Sequence, residues 1–288
     1  MKFTLYDNIQ TFYEDVYDIL SAHETQNMLI LGNLLIGHKG EDTFGWRDPA
    51  NWVMVTVADD SNLRLVALMT PPWGITLYAV DNIVDSLIVK CLVDGLIAAN
   101  IPVPGVVTEK SLAETFAAAY CSTKNMTHSI TMSQRIYELC SVNPEIPQIG
   151  HFRLAREQDL SFIPYWIADF IASAGQDSDI SADIETSRYH VGSGKLYILE
   201  DDSGMAVSMA KIVRQIVSAS NIGLVYTPPY LRGQGYASSV TAQISQLCLD
   251  AGQKSCALYT DLSNPTSNSI YQKIGYTPIC DSLEIKFS

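Results

Sequence analysis

The sequence predicts an α/β protein made of two copies of one domain, and three observations carry that reading. Short apolar or alternating runs of strand character are interleaved with longer segments whose apolar residues recur at three- and four-residue steps. The same order of such elements is met twice along the 288 residues. Between the two passes stands Asn143-Pro144-Glu145-Ile146-Pro147-Gln148-Ile149-Gly150, which has the composition of a linker. The expected division is residues 1–142, a linker at 143–150, and residues 151–288.

In the first half, Phe12, Val16, Ile19 and Leu20 mark one helix, and Met28, Leu31, Leu34 and Leu35 a second. Both are expected to pack by one face. Strands follow at Trp52–Val57 and Arg64–Leu68, joined through Asp59-Asp60-Ser61-Asn62 as a hairpin, with a third at Ile75–Val80. Ile83, Leu87, Ile88, Cys91, Leu92 and Leu96 then share one side of a long helix that stops near Asn100. A strand is expected at Val103–Val107, then a helix capped by Thr108 and carrying Leu112, Phe116 and Ala119, then a closing strand at Arg135–Leu139.

The second half repeats this order. A helix over Tyr165–Ala174 stops at Gly175, and the polar stretch up to Tyr189 reads as irregular. Strands at Leu196–Leu199 and Met205–Val213 flank Asp201-Asp202-Ser203-Gly204. Asp-Asp-Ser therefore occurs at 59–61 and 201–203, while Thr-Pro-Pro occurs at 70–72 and 227–229. The two spacings differ, so one alignment cannot hold both, and shared element order is the better guide.

The most informative stretch is Asn221–Gly275. An apolar run, Ile222–Tyr226, ends at Thr227-Pro228-Pro229. The turn Arg232-Gly233-Gln234-Gly235-Tyr236-Ala237 follows, and then Val240, Ile244, Leu247 and Cys248 continue a helix to Gly252. A strand, a glycine turn and a helix N-terminus form a ready anion site, because the first helical N–H groups lack internal partners and the dipole is positive there. A nucleotide-triphosphate loop would need Lys and Ser or Thr after the last glycine, and Gly235 is followed by Tyr236-Ala237. A dinucleotide fold would need more strand–helix units than Lys254–Ser288 can supply. Beyond the helix come a strand at Cys256–Thr260, a helix over Pro265–Ile274 with Asn264 as N-cap and Gly275 as stop, and a last strand alternating Leu283, Ile285 and Phe287 with Glu284 and Lys286.

In that order and spacing the chain resembles the GCN5-related N-acetyltransferases. Their signature of Arg or Gln, two residues, Gly, one residue, then Gly or Ala stands here as Arg232, Gly235 and Ala237. A later Asn and a helix Tyr are matched by Asn264 and Tyr271. The resemblance implies tandem acyl-CoA N-acyltransferase domains, each a mixed central sheet flanked by helices. It implies acetyl-CoA as acyl donor and an amine as acceptor. By the same resemblance the backbone of Val225, Tyr226 and Thr227 binds pantetheine and the acetyl carbonyl. The amides of Gly233, Gln234, Gly235, Tyr236, Ala237 and Ser238 hold the pyrophosphate beside Arg232, Asn264 touches the cofactor, and Tyr271 is the general acid. A tyrosine with a reference pKa of ~10 is protonated at neutral pH and able to protonate a departing thiolate. No base is assigned: Ile222–Tyr226 holds no carboxylate, and Asp261, His190 and a water chain stand open. The alternative is a non-catalytic acyl-CoA sensor that keeps the cradle.

The first copy reads as degenerate. The turn near Asp81-Asn82 has no glycine, Asp81 and Asp85 would repel a pyrophosphate, and Thr115 stands where Tyr271 would if Tyr120 matches Tyr276. Net charge is −13, with 8 Lys+Arg against 17 Asp+Glu in residues 1–150 and 10 against 14 in 151–288. Neither half offers the basic face that nucleic acid needs. The apolar runs are too short to cross a bilayer, and Asp7 comes too early for a secretory signal, so a cytoplasmic protein without a membrane partner is expected. Six cysteines without CxxC spacing imply reduced thiols and no metal site. A homodimer is compatible with the sequence, though no motif marks one.

Overall fold

Asn8 opens the first helix by accepting hydrogen bonds from the Gln10 and Thr11 N–H groups, and Phe12, Val16 and Leu20 bury one stripe of it four residues apart. From such local rules the computed structural model builds the expected pattern twice; it describes residues 1–40, 48–60, 62–173, 175, 177 and 179–288. The first pass reads β1 (Lys2–Tyr6), α1 (Ile9–Ser21), α2 (Met28–Lys39), β2 (Val53–Asp59), β3 (Asn62–Met69), β4 (Ile75–Ala79), α3 (Ser86–Ala98), β5 (Gly105–Glu109), α4 (Lys110–Lys124) and β6 (His128–Leu139). The second reads β7 (His151–Leu154), α5 (Ile163–Ser173), α6 (Ile180–Gly192), β8 (Leu196–Glu200), β9 (Ala206–Gln215), β10 (Ala219–Tyr226), α7 (Tyr236–Asp250), β11 (Ser255–Asp261), α8 (Pro265–Ile274) and β12 (Thr277–Phe287). Element for element, the two passes are the same. The Asp-Asp-Ser repeat is therefore the structural one, since Asp59-Asp60 and Asp201-Asp202 both stand at the end of the second strand of their pass. The two Thr-Pro-Pro stretches follow β3 and β10, which are not equivalent strands. Ser61 and Ala174, which fall in the expected hairpin turn and helix, lie outside the described residues.

Contacts divide the chain into one unit of Met1–Ile136, Thr260–Ser263 and Pro278–Ser288, and a second of Tyr137–Tyr259 and Asn264–Thr277. Whereas the boundaries at 142 and 151 follow connectivity, this division gives β12 from Pro278 onward to the first unit and the end of β6, from Tyr137, to the second. In the first unit β1, β2, β3 and β4 pair antiparallel in sequence, β4 pairs parallel with β5, and β5 pairs antiparallel with β12. Its core runs from Val55 and Ala67 through Leu92, Leu96 and Phe116 to Leu283 and Ile285. The last strand of the chain thus fills the core of the first unit. Gly105 permits the approach, because a Cβ there would lie 2.3 Å from the Ile285 carbonyl oxygen. In the second unit β7, β8, β9 and β10 pair antiparallel and β10 pairs parallel with β11. Tyr137 and Leu139, from the end of β6, join Val240, Ile244, Leu258 and Ile274 in its core.

Local details depart from the expectations in four places. Helix α2 is not packed by one face: Met28, Ile30, Leu31, Gly32, Leu34 and Gly37 are all buried, so burial surrounds it. The cap of α4 is Glu109, whose carboxylate accepts from Ser111 and Leu112, because the Thr108 hydroxyl is turned to the Leu77 carbonyl. The polar stretch before Tyr189 contains α6, started by Asp179 through a hydrogen bond from Ser181 N–H. Capping and a few buried contacts suffice where hydrophobic periodicity is weak. Finally, Tyr120 lies inside α4 whereas Tyr276 lies beyond α8, so they do not correspond. Counted from each helix's N-cap, the buried Phe116, not Thr115, stands where Tyr271 stands.

Because β12 closes the first unit, Ile285→Ala should cost about 2–4 kcal/mol. Urea unfolding of that unit should show it, while Ile279→Ala, at an exposed position of the same strand, should change little.

Candidate functional site

The site is built on β10. Ala219, Ser220 and Asn221 pair with Ser255, Cys256 and Ala257 of β11, and pairing on that side stops there. Among the described residues the edge of β10 toward β11 has no ladder partner from Ile222 to Tyr226, although the strand lies in the interior of the unit's strand order. On its other side the register against β9 shifts between Gly223 and Tyr226, and within that bulge Leu224 takes a left-handed φ of 52°. Such strain in a residue other than glycine is held only by its surroundings, and a bulge re-aims backbone groups. The result is a stretch of backbone N–H and C=O groups offered to a ligand.

The strand's exit is fixed by side chains. Ser208 donates to the Tyr226 carbonyl at 2.8 Å, and its hydroxyl lies 2.9 Å from that of Thr227. The Tyr226 hydroxyl donates to Asp169 of α5 at 2.8 Å; burial and this carboxylate raise its pKa, so it stays protonated. Arg232 then reaches back, donating from Nε to the Thr227 carbonyl at 3.0 Å. That bond closes the loop between strand and helix and sets the guanidinium at the turn.

Gly233 and Gly235 adopt φ of 80° and 87°, a region that L side chains rarely adopt. Gly235 is the N-cap of α7, and no side chain caps that helix. The first-turn amides of Tyr236, Ala237 and Ser238 are left for another acceptor, with the helix dipole behind them. Further along α7, Ser239 and Ile149 exchange two hydrogen bonds at 2.8 and 2.9 Å, fastening the preceding linker to the helix. In the first unit the equivalent α3 is closed by its own Asp85, which accepts from Leu87 N–H at 2.8 Å. Asp81 and Asn82 there take left-handed φ without any glycine.

Asn264 caps α8, accepting from Ser267 N–H at 3.0 Å, and Gly275 ends it with φ of 117°. Tyr271 lies inside, 9% exposed, with the Tyr137 and Tyr276 rings at 6.5 and 6.0 Å. Burial pushes its pKa up to about 12 against the easing effect of Ser267. Val225, Tyr226, Thr227, the residues 232–238, Asn264 and Tyr271 are thus gathered in one unit.

Sequence reasoning left one further feature unassembled. Lys211 of β9 is buried, its Nζ in hydrogen-bond contact with His190 Nδ1 at the end of α6 and 5.0 Å from the centre of the Tyr189 ring. Desolvation lowers Lys211 to about 8, with Lys195 adding to the effect; desolvation, then the Lys211 charge, lowers His190 to about 4. His190 is a polar candidate in the sequence, but its partner lies 21 residues away, in a strand where its immediate neighbours Ala210 and Ile212 are apolar. The other candidate, Asp261, accepts from Ser263 N–H at 2.7 Å.

Comparison with known proteins agrees with this geometry. Residues 201–284 match the family model of FR47-like proteins. A GNAT-family acetyltransferase from Colwellia psychrerythraea covers 100% of this chain and 99% of its own, at 12% identity and a TM-score of 0.60. The chain has the tandem GNAT fold. A GCN5-related N-acetyltransferase from Sphaerobacter thermophilus shares it at 14% identity and a TM-score of 0.61, covering 99% of this chain and 95% of that one. So does a tandem GNAT protein from the clavulanic acid biosynthesis pathway, at 10% identity and a TM-score of 0.56, covering 100% and 98%. No curated protein sequence matches the chain. Within the GNAT fold, β10 and α7 are the strand and helix that flank the glycine turn. Among the described residues no helix is long and apolar enough to cross a membrane, and no cluster of metal-binding side chains occurs.

The depressed His190 has a consequence for stability. Between its ordinary pKa of 6.5 and its folded value of about 4 the unfolded chain binds a proton that the folded chain refuses, so stability falls as pH drops through that window. His190→Gln should remove that part of the acid limb, read by thermal unfolding at pH 7, 5.5 and 4.

Proposed function

We propose that the second unit binds acetyl-CoA and transfers its acetyl group to a primary amine by direct attack. The observation that carries this is the parting of β10 from β11 beside an uncapped helix whose N-terminal turn holds two left-handed glycines. An extended amide chain such as pantetheine would add to the open edge of β10 at Val225, Tyr226 and Thr227, as a further strand adds to a sheet. A pyrophosphate would take the amides from Gly233 to Ser238, with the Arg232 charge alongside. Asn264 would face the cofactor from the head of α8. We read residues 151–288 as the acyl-CoA-binding domain and residues 1–142 as a copy without that cradle, its helix N-terminus already closed by Asp85.

Acetyl-CoA supplies a thioester whose carbonyl carbon accepts the amine. This chain orients the thioester along β10 and keeps the Tyr271 hydroxyl protonated until a thiolate needs its proton. Burial holds the hydroxyl in its protonated form and makes the tyrosinate costly, so the proton can pass to the thiolate only as the surplus proton of the new amide nitrogen replaces it. The acidic balance of the chain favours a cationic acceptor through long-range attraction. We place the reaction in the cytoplasm, with no nucleic-acid or membrane partner.

Calorimetric titration of acetyl-CoA tests the cradle. Wild type should bind, and Gly235→Glu, which sets a carboxylate among the pyrophosphate amides, should bind at least 100-fold more weakly; absence of binding to wild type would sink the proposal. With an amine found by thiol release, Tyr271→Phe should lower kcat about 10²-fold at neutral pH with acetyl-CoA affinity unchanged. Unaltered turnover at every pH would remove Tyr271 from the reaction.

A further inference from the structure

The acyl-transfer reading leaves a gap that the second unit itself fills. An amine with an ordinary pKa reaches the site as an ammonium, which has no lone pair, and β10 carries no carboxylate to relieve it of a proton. Lys211 stands on the neighbouring strand directly opposite Gly223, which puts no side chain beside it, and the bulge of β10 begins at that glycine. Cross-strand partners share a face. Lys211 therefore looks onto the side of β10 that carries Tyr226, the side covered by Ile163 and Ile167 of α5.

Contact between Lys211 Nζ and His190 Nδ1 limits what the pair can hold. A hydrogen bond between them needs one nitrogen to present a lone pair, and a second proton would set two positive charges against each other out of water. His190 and Tyr189 from α6 lie against Lys211, and the charge of Lys195 ahead of β8 acts on it; Tyr226, on the same face of β10, donates its hydroxyl to Asp169 of α5. Asp183 is buried two turns earlier on the same side of α6. Burial opposes the lysine's charge most and Lys195 adds to it, while the Tyr189 ring favours that charge.

We infer that Lys211, oriented by His190, is the general base that takes a proton from the acceptor ammonium; the inference rests on the acetyl-CoA reading of this unit. An N–H bond of the ammonium breaks and its proton joins the lone pair of neutral Lys211 Nζ. The freed amine attacks the thioester carbon, a C–N bond forms, the C–S bond breaks, and the thiolate takes the Tyr271 proton. The surplus proton on the new amide nitrogen restores Tyr271, and Lys211 returns its own proton to solvent. The sum is ammonium plus acetyl-CoA giving amide, free thiol and one proton. His190 is a positioning residue, holding Nζ by accepting a hydrogen bond from it.

Trace acetylation of the full chain with acetic anhydride, read by peptide mass spectrometry from pH 6 to 11, tests this without any acceptor. Lys211 should titrate near 8, and saturating CoA should slow its labelling several-fold. A midpoint near 10.5, or labelling unchanged while calorimetry shows CoA bound, overturns the base and leaves the acetyl-CoA reading standing. Failure of CoA to bind wild type overturns both. With an amine that releases thiol, Lys211→Met should lower kcat about 10²-fold and abolish the rise of rate toward pH 8, with CoA affinity unchanged. Lys211→Arg should not restore it. Recovery in that variant would mean that a fixed positive charge suffices, and the base assignment would fall.

Discussion

Backbone polar groups inside a protein must find partners, and among the described residues β10 is a strand whose second half does not find them in the sheet, as β4 of the first unit leaves β5 after Thr76. After three residues of parallel pairing with β11, β10 continues alone on that edge. A strand left open on one edge in the interior of a sheet is normally closed by a neighbour. In the function we propose, the neighbour is an extended ligand with amides of its own. The bulge at Leu224 turns the same stretch further from regular pairing with β9.

What surrounds the open edge serves to hold it. Ser208, Thr227 and Arg232 tie the end of the strand to the next strand and to the turn. Tyr226 is tied to α5 through Asp169, so a helix that the sequence marks only by its apolar stripe also steadies the backbone that would grip an acyl group. The turn brings α7 up with its first amides free. Tyr271 is held in an aromatic cluster with Tyr137 and Tyr276, where burial keeps its proton in place.

The two passes of the chain show the same fold with and without these provisions. Helix α3 begins at an aspartate that satisfies its own N-terminus, and Phe116 takes the position of Tyr271 with no hydroxyl to donate. A helix start can serve a ligand only if its own side chains leave it open. The open cap, the two glycines of the turn and the hydroxyl together set the candidate site apart from its counterpart.

Much of this was legible in the residues, because it is local. Asn264, Pro265 and Gly275 set the bounds of α8; Gly233 and Gly235 mark left-handed backbone; alternation and three-to-four spacing separate strands from helices. The Arg232, Gly235, Ala237, Asn264 and Tyr271 pattern points to a candidate site, and the fold gathers those residues in one unit. Alternation, however, encodes which face of a strand is buried and says nothing of which strand lies beside it. So only the tertiary structure decided that β12 completes the first unit, that β10 parts from β11 after Asn221, and that Lys211 meets His190. A lysine in a strand and a histidine in a polar helix 21 residues away carry no mutual signal along the chain. Their chemistry exists only once folding has removed both from water and set them in contact.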